Sequence, residues 1–155
     1  MYYAIVFCLM FAFPAASVLL EHGPPSNATP WLPLIGKWFV FWAVGVRLLL
    51  AGLRQIITPR FTAEHIFNLK SDDALVIVRE LGFANCAIGT VALLSLHYTG
   101  WTGAAAIAGG LFYGLAGLAH LMAGHRNRLE NVAMMSDLFV FAVLVLYSVG
   151  LTFRR

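Results

Sequence analysis

Apolar residues along this chain gather into five long runs, roughly Tyr2 to Leu20, Ile35 to Ile57, Ala74 to Leu96, Thr102 to Ala123 and Asn131 to Thr152. Short polar or proline-rich stretches divide them. A run of about 20 mostly apolar residues is what a helix needs to cross the hydrocarbon core of a bilayer. The pattern therefore predicts an all-α, polytopic transmembrane helix bundle of about five helices, a four-helix core plus an N-terminal helix, with residues 1–155 forming a single transmembrane domain. Ala15-Ala16-Ser17 offers small residues of the kind found at signal-peptide cleavage sites. Nothing basic precedes the first run, so it is read as a helix.

The links differ in character. Glu21 to Pro33 carries prolines at 24, 25, 30 and 33 and reads as extended, with Trp31 and Trp38 where an aromatic belt belongs. Thr58-Pro59 stops the second helix. Thr62 and Glu64 then suit the start of a short helix over about 62–69, whose Phe61, His65 and Leu69 share a face and predict that it lies on the membrane surface. Tyr98 to Trp101 makes a tight turn and Gly124 to Glu130 a short polar one. With the N-terminus inside, Arg54, Arg60, Lys70, Arg126 and Arg128 are cytoplasmic against Lys37, Arg154 and Arg155 outside, a positive-inside bias of five to three.

Composition agrees with the pattern. Hydrophobic residues make up 61% of the chain and charged residues 11%, with mean hydropathy +0.82, whereas soluble domains carry about a quarter charged residues. The expected surroundings are a lipid bilayer. The formal charge of +3 then reflects orientation and pocket electrostatics, and without a basic and aromatic stripe no nucleic-acid partner is expected. Cys8 and Cys86 lie in apolar runs without a Cys-x-x-Cys pair and read as packing. No histidine spacing supports a metal site, and the sequence assigns no cofactor.

What changes the picture is charge inside the runs. Arg47 lies roughly 15 Å from the nearer end of its helix at 1.5 Å per residue, and a guanidinium at that depth costs about 2.5 kcal/mol or more unless a site receives it. Arg79 and Glu80 lie about 8 to 9 Å deep and Asn85 roughly 16 Å on the same rise. Together with Arg54, Gln55, His120 and Asp137, these groups fall in one leaflet whichever way the chain is inserted. Residues three, four, seven or eight apart share a helical face. That spacing gives stripes of Arg47, Ala51, Arg54 and Gln55; of Asp73, Glu80 and Ala84; of Tyr113, Ala116 and His120; and of Asn131, Met134 and Asp137, unless Asn131 is only a cap. A bundle burying all four stripes encloses a polar, cytoplasm-facing pocket. Three arginines against Glu80 and Asp137, with His120 neutral, leave one positive charge unmatched, which points to an anionic ligand, a headgroup or water. Set against this, Arg79 with Glu80 or Asp137, and Arg54 with Asp73, make ion pairs that only hold helices in register, or Arg54 snorkels to the interface. Gly110-x-x-x-Gly114 is a helix-contact signal, serving the bundle or a homo-oligomer.

The segments Gly45-Val46-Arg47-Leu48, Ala51-Gly52-Leu53-Arg54-Gln55 and Pro59-Arg60-Phe61-Thr62-Ala63-Glu64, with Arg79-Glu80-Leu81-Gly82-Phe83-Ala84-Asn85, His120, Asn131 and Asp137, resemble the DUF6790 type of small bacterial membrane protein over about Lys37 to Tyr147. The resemblance implies a compact helical bundle of bacterial inner membranes and supplies no activity; the charge bias makes this multi-pass chain's N-terminus cytoplasmic. More distantly the four-helix core looks like the DoxX-like group, some of whose members are linked to quinone-coupled redox systems. The missing cysteine pair puts a thiol carry-over in doubt.

The residues point to a pocket for a small anionic or amphipathic ligand, whether lipid headgroup, quinone-like molecule or metabolite. Arg47, Arg54, Gln55, Arg79, Asn85 and Tyr113 are the candidate ligand-binding residues, and His120, Asp137 and Glu80 the candidate acid/base groups. Whether the protein is an enzyme stays open. The other readings are a proton-coupled carrier, disfavoured by the lack of polar residues between Trp38 and Ala43 and between Leu138 and Leu146, and a non-catalytic accessory subunit.

Overall fold

The computed structural model describes residues 2–24, 28–123 and 126–153. Pro25, Gly124, His125, Arg154 and Arg155, which entered the loop and charge arguments above, lie outside them. Among the described residues, five helices are long and apolar enough to cross a membrane. They are α1 (Tyr2–His22), α2 (Trp31–Ile57), α4 (Asp73–Leu94), α5 (Thr99–Met122) and α6 (Arg128–Thr152), with a short α3 (Phe61–Ile66) between α2 and α4. The structure is 86% helical, with no strand among the described residues.

Local chemistry explains the boundaries. Helix α2 starts at Trp31, ahead of the run that begins at Ile35, because Pro33 sits in the first turn, where backbone N–H groups have no helical partner to lose. Helix α6 starts at Arg128 because Asn127, rather than Asn131, is its cap: its side-chain oxygen accepts from the Glu130 amide at 2.9 Å. In α3 the buried residues are Thr62, Ala63 and Ile66, while His65 is exposed and stacks on Phe61. The helix therefore packs inward on a different face from the one Phe61, His65 and Leu69 define.

Two hairpins, α2 with α4 and α5 with α6, make the core, and α4 and α5 touch each other comparatively little. Small residues set both hairpins. A Cβ on Gly52 would lie 2.6 Å from the Gly82 carbonyl oxygen, and one on Gly89 would lie 2.7 Å from the Leu49 backbone nitrogen. The α2 and α4 backbones thus meet at glycines, as close membrane-helix packing requires. In the second hairpin Gly114 faces Phe141, Gly117 faces Leu138 and Gly110 packs on Leu144. The Gly110/Gly114 face is filled from within the chain, so of the two roles weighed for it the glycines serve the bundle.

The apolar core runs from Val6 and Met10 of α1 into the half of the bundle away from Tyr2, where Phe39, Val40, Val44, Ala105, Leu144 and Tyr147 are buried against one another. At that end Glu21 accepts from Lys37 Nζ and from Trp38 Nε1, both at 2.7 Å, joining the end of α1 to the start of α2. Within α2, residues Val40–Val46 form a wider π-helical stretch, and the Arg47 amide reaches back five residues to the Trp42 carbonyl. Such a stretch rotates everything beyond it relative to a regular helix. The Tyr113 hydroxyl of α5 donates to the Ala43 carbonyl inside it. Arg47 is the first residue past the π stretch, and it turns toward the space between the hairpins.

Candidate functional site

Toward Tyr2 the hairpins part around a cavity of about 720 Å³. Most of its wall is apolar, from Ile5, Leu48, Leu50, Leu81, Phe112 and Leu115 among others. Its polar groups come from every spanning helix: Tyr2 from α1, Arg47, Arg54 and Gln55 from α2, Asn85 from α4, Tyr113 and His120 from α5, and Glu130 and Asp137 from α6. Phe61, Thr62, Ile66 and Phe67, in and just after α3, line it as well.

Arg47 is the deepest cation there. Its Nε is buried and finds no hydrogen-bond partner among the described residues. Asp137, 8% exposed, lies across the cavity within reach of the Arg47 charge. Yet no carboxylate oxygen comes within 4 Å of the guanidinium among the described residues, whose ion pairs are Lys37–Glu21, Arg60–Glu64, Arg60–Asp72 and His120–Glu130. Asn85, 2% exposed, donates to Gln55 Oε1 at 2.8 Å while its own Oδ1 is buried without a partner. Buried polar groups are nearly always satisfied by protein or water, and each exception calls for an explanation. Here two such atoms, from two helices that meet at glycines, belong to residues lining the same cavity.

His120 is held by a different carboxylate from the expected one. Its Nδ1 lies 3.1 Å from Glu130 Oε1, with both side chains buried, and Phe67 stacks on the ring. In a capping box the carboxylate at Glu130's position turns back to the cap residue's own amide. Glu130 receives the cap from Asn127 but spends its side chain on His120 instead. Arg126 closes the same corner, donating to the carbonyls of His120, Leu121 and Ala123 at 2.8–3.0 Å.

The α2 stripe, Arg47, Ala51, Arg54 and Gln55, lines the cavity throughout, as does the α5 stripe, Tyr113, Ala116 and His120. Arg54 sits at the rim, exposed, its guanidinium 3.5 Å from the centre of the Phe61 ring. The α4 stripe is a correction. Asp73, Glu80 and Ala84 are exposed, as is Arg79, and neither Arg79 nor Glu80 lines the cavity. The face α4 buries is Ala74, Val78, Gly82, Asn85, Gly89 and Ala92. Glycine contact with α2 selects that face, and the two charged side chains lie near enough to the helix end to extend toward water. Of the ion pairs weighed above, Arg79 with Glu80 or Asp137 and Arg54 with Asp73 do not form; Arg60 takes Asp72 and Glu64. Glu130, Tyr2 and Thr62 line the cavity unforeseen. The Asn127-x-x-Glu130 spacing was the available signal for Glu130.

The arrangement can hold an anion at Arg47, donate and accept hydrogen bonds at Gln55, Asn85 and Tyr113, and exchange protons at His120, Glu130 and Asp137. Among the described residues no three His, Cys, Asp or Glu side chains come together to hold a metal ion. Residues 1–151 match the model of a family of unknown function, DUF6790, a match that takes in α1 as well as the core. No curated protein and no solved structure matches the chain.

Proposed function

We propose that this chain, which belongs to the DUF6790 family of unknown function, binds a small anionic or amphipathic ligand in the cavity between its two hairpins. The observation that carries the reading is Arg47, a deep guanidinium with a buried Nε that lacks a partner and no carboxylate within 4 Å. A charge in that position is costly unless something compensates it, and an anionic group in the adjoining 720 Å³ does so. Asp137 and the His120–Glu130 pair then supply the means to move a proton to or from what is bound. A carrier needs polar access from both faces, whereas Val40, Val44, Ala105 and Leu144 fill the half beyond Arg47. A site reached from one side fits better. The cationic links flanking the cavity favour a cytoplasm-facing site by the positive-inside rule, in keeping with an inner-membrane protein.

Plugging the space tests the proposal. Ala116, on the cavity wall, becomes tryptophan, and native mass spectrometry compares gently extracted wild type and Ala116→Trp. The expected result is a small-molecule adduct on the wild type that falls at least tenfold in the variant, while Lys37→Gln at the far end retains it. An adduct equally abundant in all three rejects the cavity as its site. A wild type without adduct that holds a second protein instead favours the accessory-subunit reading.

A further inference from the structure

Resting on that reading, we infer that the ligand is a lipid anion taken sideways from the bilayer, its head held at Arg47 and a single chain lying in the seam between α4 and α5. The aqueous end of the cavity is narrowed by aromatic and aliphatic side chains. Phe61, Thr62, Ile66 and Phe67 line it from that end, and the segment carrying them is tied down where Asn127 Nδ2 donates to the His65 carbonyl at 2.8 Å and to Asn68 Oδ1 at 3.2 Å. The flank is open. Leu115 lines the cavity yet is 67% exposed, and it belongs to the outward stripe of Ile107, Leu111 and Leu118 that faces lipid. Leu50 of α2 combines the same two properties.

The seam lies in line with the cavity, about one helical turn deeper into the membrane. A second space of about 210 Å³ runs between Ala87, Ile88 and Val91 of α4 and Ala105 and Ala108 of α5, every one apolar. Ile88 is one turn beyond Asn85, and Ala108 one turn before Phe112, both of which line the main cavity. From Asn85 to Val91 the track gains about 9 Å at 1.5 Å per residue, so a chain that leaves the head at Arg47 runs on along apolar side chains. At the head, Arg47 donates to an anionic oxygen and the buried, unpartnered Asn85 Oδ1 accepts from a hydroxyl beside it. A free inorganic anion answers to Arg47 alone; a lipid anion also uses the open flank and the apolar track.

Two probes sharing a phosphate head separate the sources: palmitoyl lysophosphatidic acid, which has one chain, and glycerol 3-phosphate, which has none. Binding of each to the full chain in neutral detergent is measured for the wild type, Arg47→Leu, Arg47→Lys and the double variant Ala87→Phe/Ala108→Phe. Both alanines are exposed, so the added rings enter the seam without displacing core packing. Expected is lysophosphatidic acid binding at least tenfold tighter than glycerol 3-phosphate, lost at least tenfold in Arg47→Leu, partly kept in Arg47→Lys, and lowered at least tenfold by filling the seam. The seam variant is expected to leave glycerol 3-phosphate binding unchanged. Equal binding of both probes with no effect of the seam variant overturns the lipid inference and leaves the cavity reading standing. Binding of neither probe that depends on Arg47, in variants that melt no lower than the wild type, overturns both.

Discussion

Arg47→Leu is expected to make the ligand-free protein more stable while removing ligand retention. The side chain sits where a charge is expensive, and among the described residues no carboxylate oxygen within 4 Å pairs with it. Removing a buried charge that has no carboxylate pair recovers its desolvation cost without orphaning a direct partner, whereas breaking a buried pair costs about 3–5 kcal/mol. The same guanidinium is the cavity's deepest cation, and a hydrogen bond to a charged group contributes about 1.5–3 kcal/mol, so binding falls roughly tenfold to a hundredfold at 1.4 kcal/mol per decade. Thermal unfolding in detergent after delipidation, paired with adduct counting by native mass spectrometry, reads both quantities. A leucine variant that melts well below the wild type shows instead that Arg47 completes a structural network, and the binding reading loses its main support.

Gly52→Leu is expected to be the most damaging single substitution for the fold. A Cβ at Gly52 already meets the Gly82 carbonyl oxygen at 2.6 Å and the Cys86 backbone nitrogen at 2.9 Å, atoms that belong to α4 itself and cannot swing aside. Overpacking typically costs about 1–3 kcal/mol, and an isobutyl group at a backbone-to-backbone contact forces the helices apart. That separation also breaks the bond between Gln55 and Asn85, which spans the same two helices one turn on. Gly52→Ala is expected to fold with a lowered melting temperature and Gly52→Leu to extract as an aggregated species by size-exclusion chromatography. Equal elution of wild type and Gly52→Leu is the contrary result. Gly103 provides a control, since a Cβ there meets nothing closer than 3.9 Å.

The bundle was legible because its helices are long apolar runs in a chain with few charges, and the α2 and α5 cavity faces because each holds polar groups at helical spacing on an otherwise apolar surface. The α4 face misled for a physical reason. In a soluble helix the charged stripe through Glu80 is the outer one, but inside a membrane it looked like the functional one, while the face that packs is marked by Gly82, Asn85 and Gly89. Close backbone approach outweighed the burial of charge. Only Asn85 belonged to both arguments. The His120–Glu130 pair was missed because it crosses a turn between two helices, where periodicity along one helix says nothing. The π-helical stretch before Arg47 has no residue signature, since Val40–Val46 reads as ordinary apolar helix. Arg47 itself stood out from depth alone, with no knowledge of which way it turns.

The central claim is that Arg47 meets a bound anionic group in the cavity, and a density map of the protein purified in native-lipid nanodiscs addresses it most directly. Expected is non-protein density within hydrogen-bond distance of the guanidinium, extending from there into the seam between Ile88 and Ala105. A map in which Arg47 pairs directly with Asp137 and the space between the hairpins is closed would contradict it.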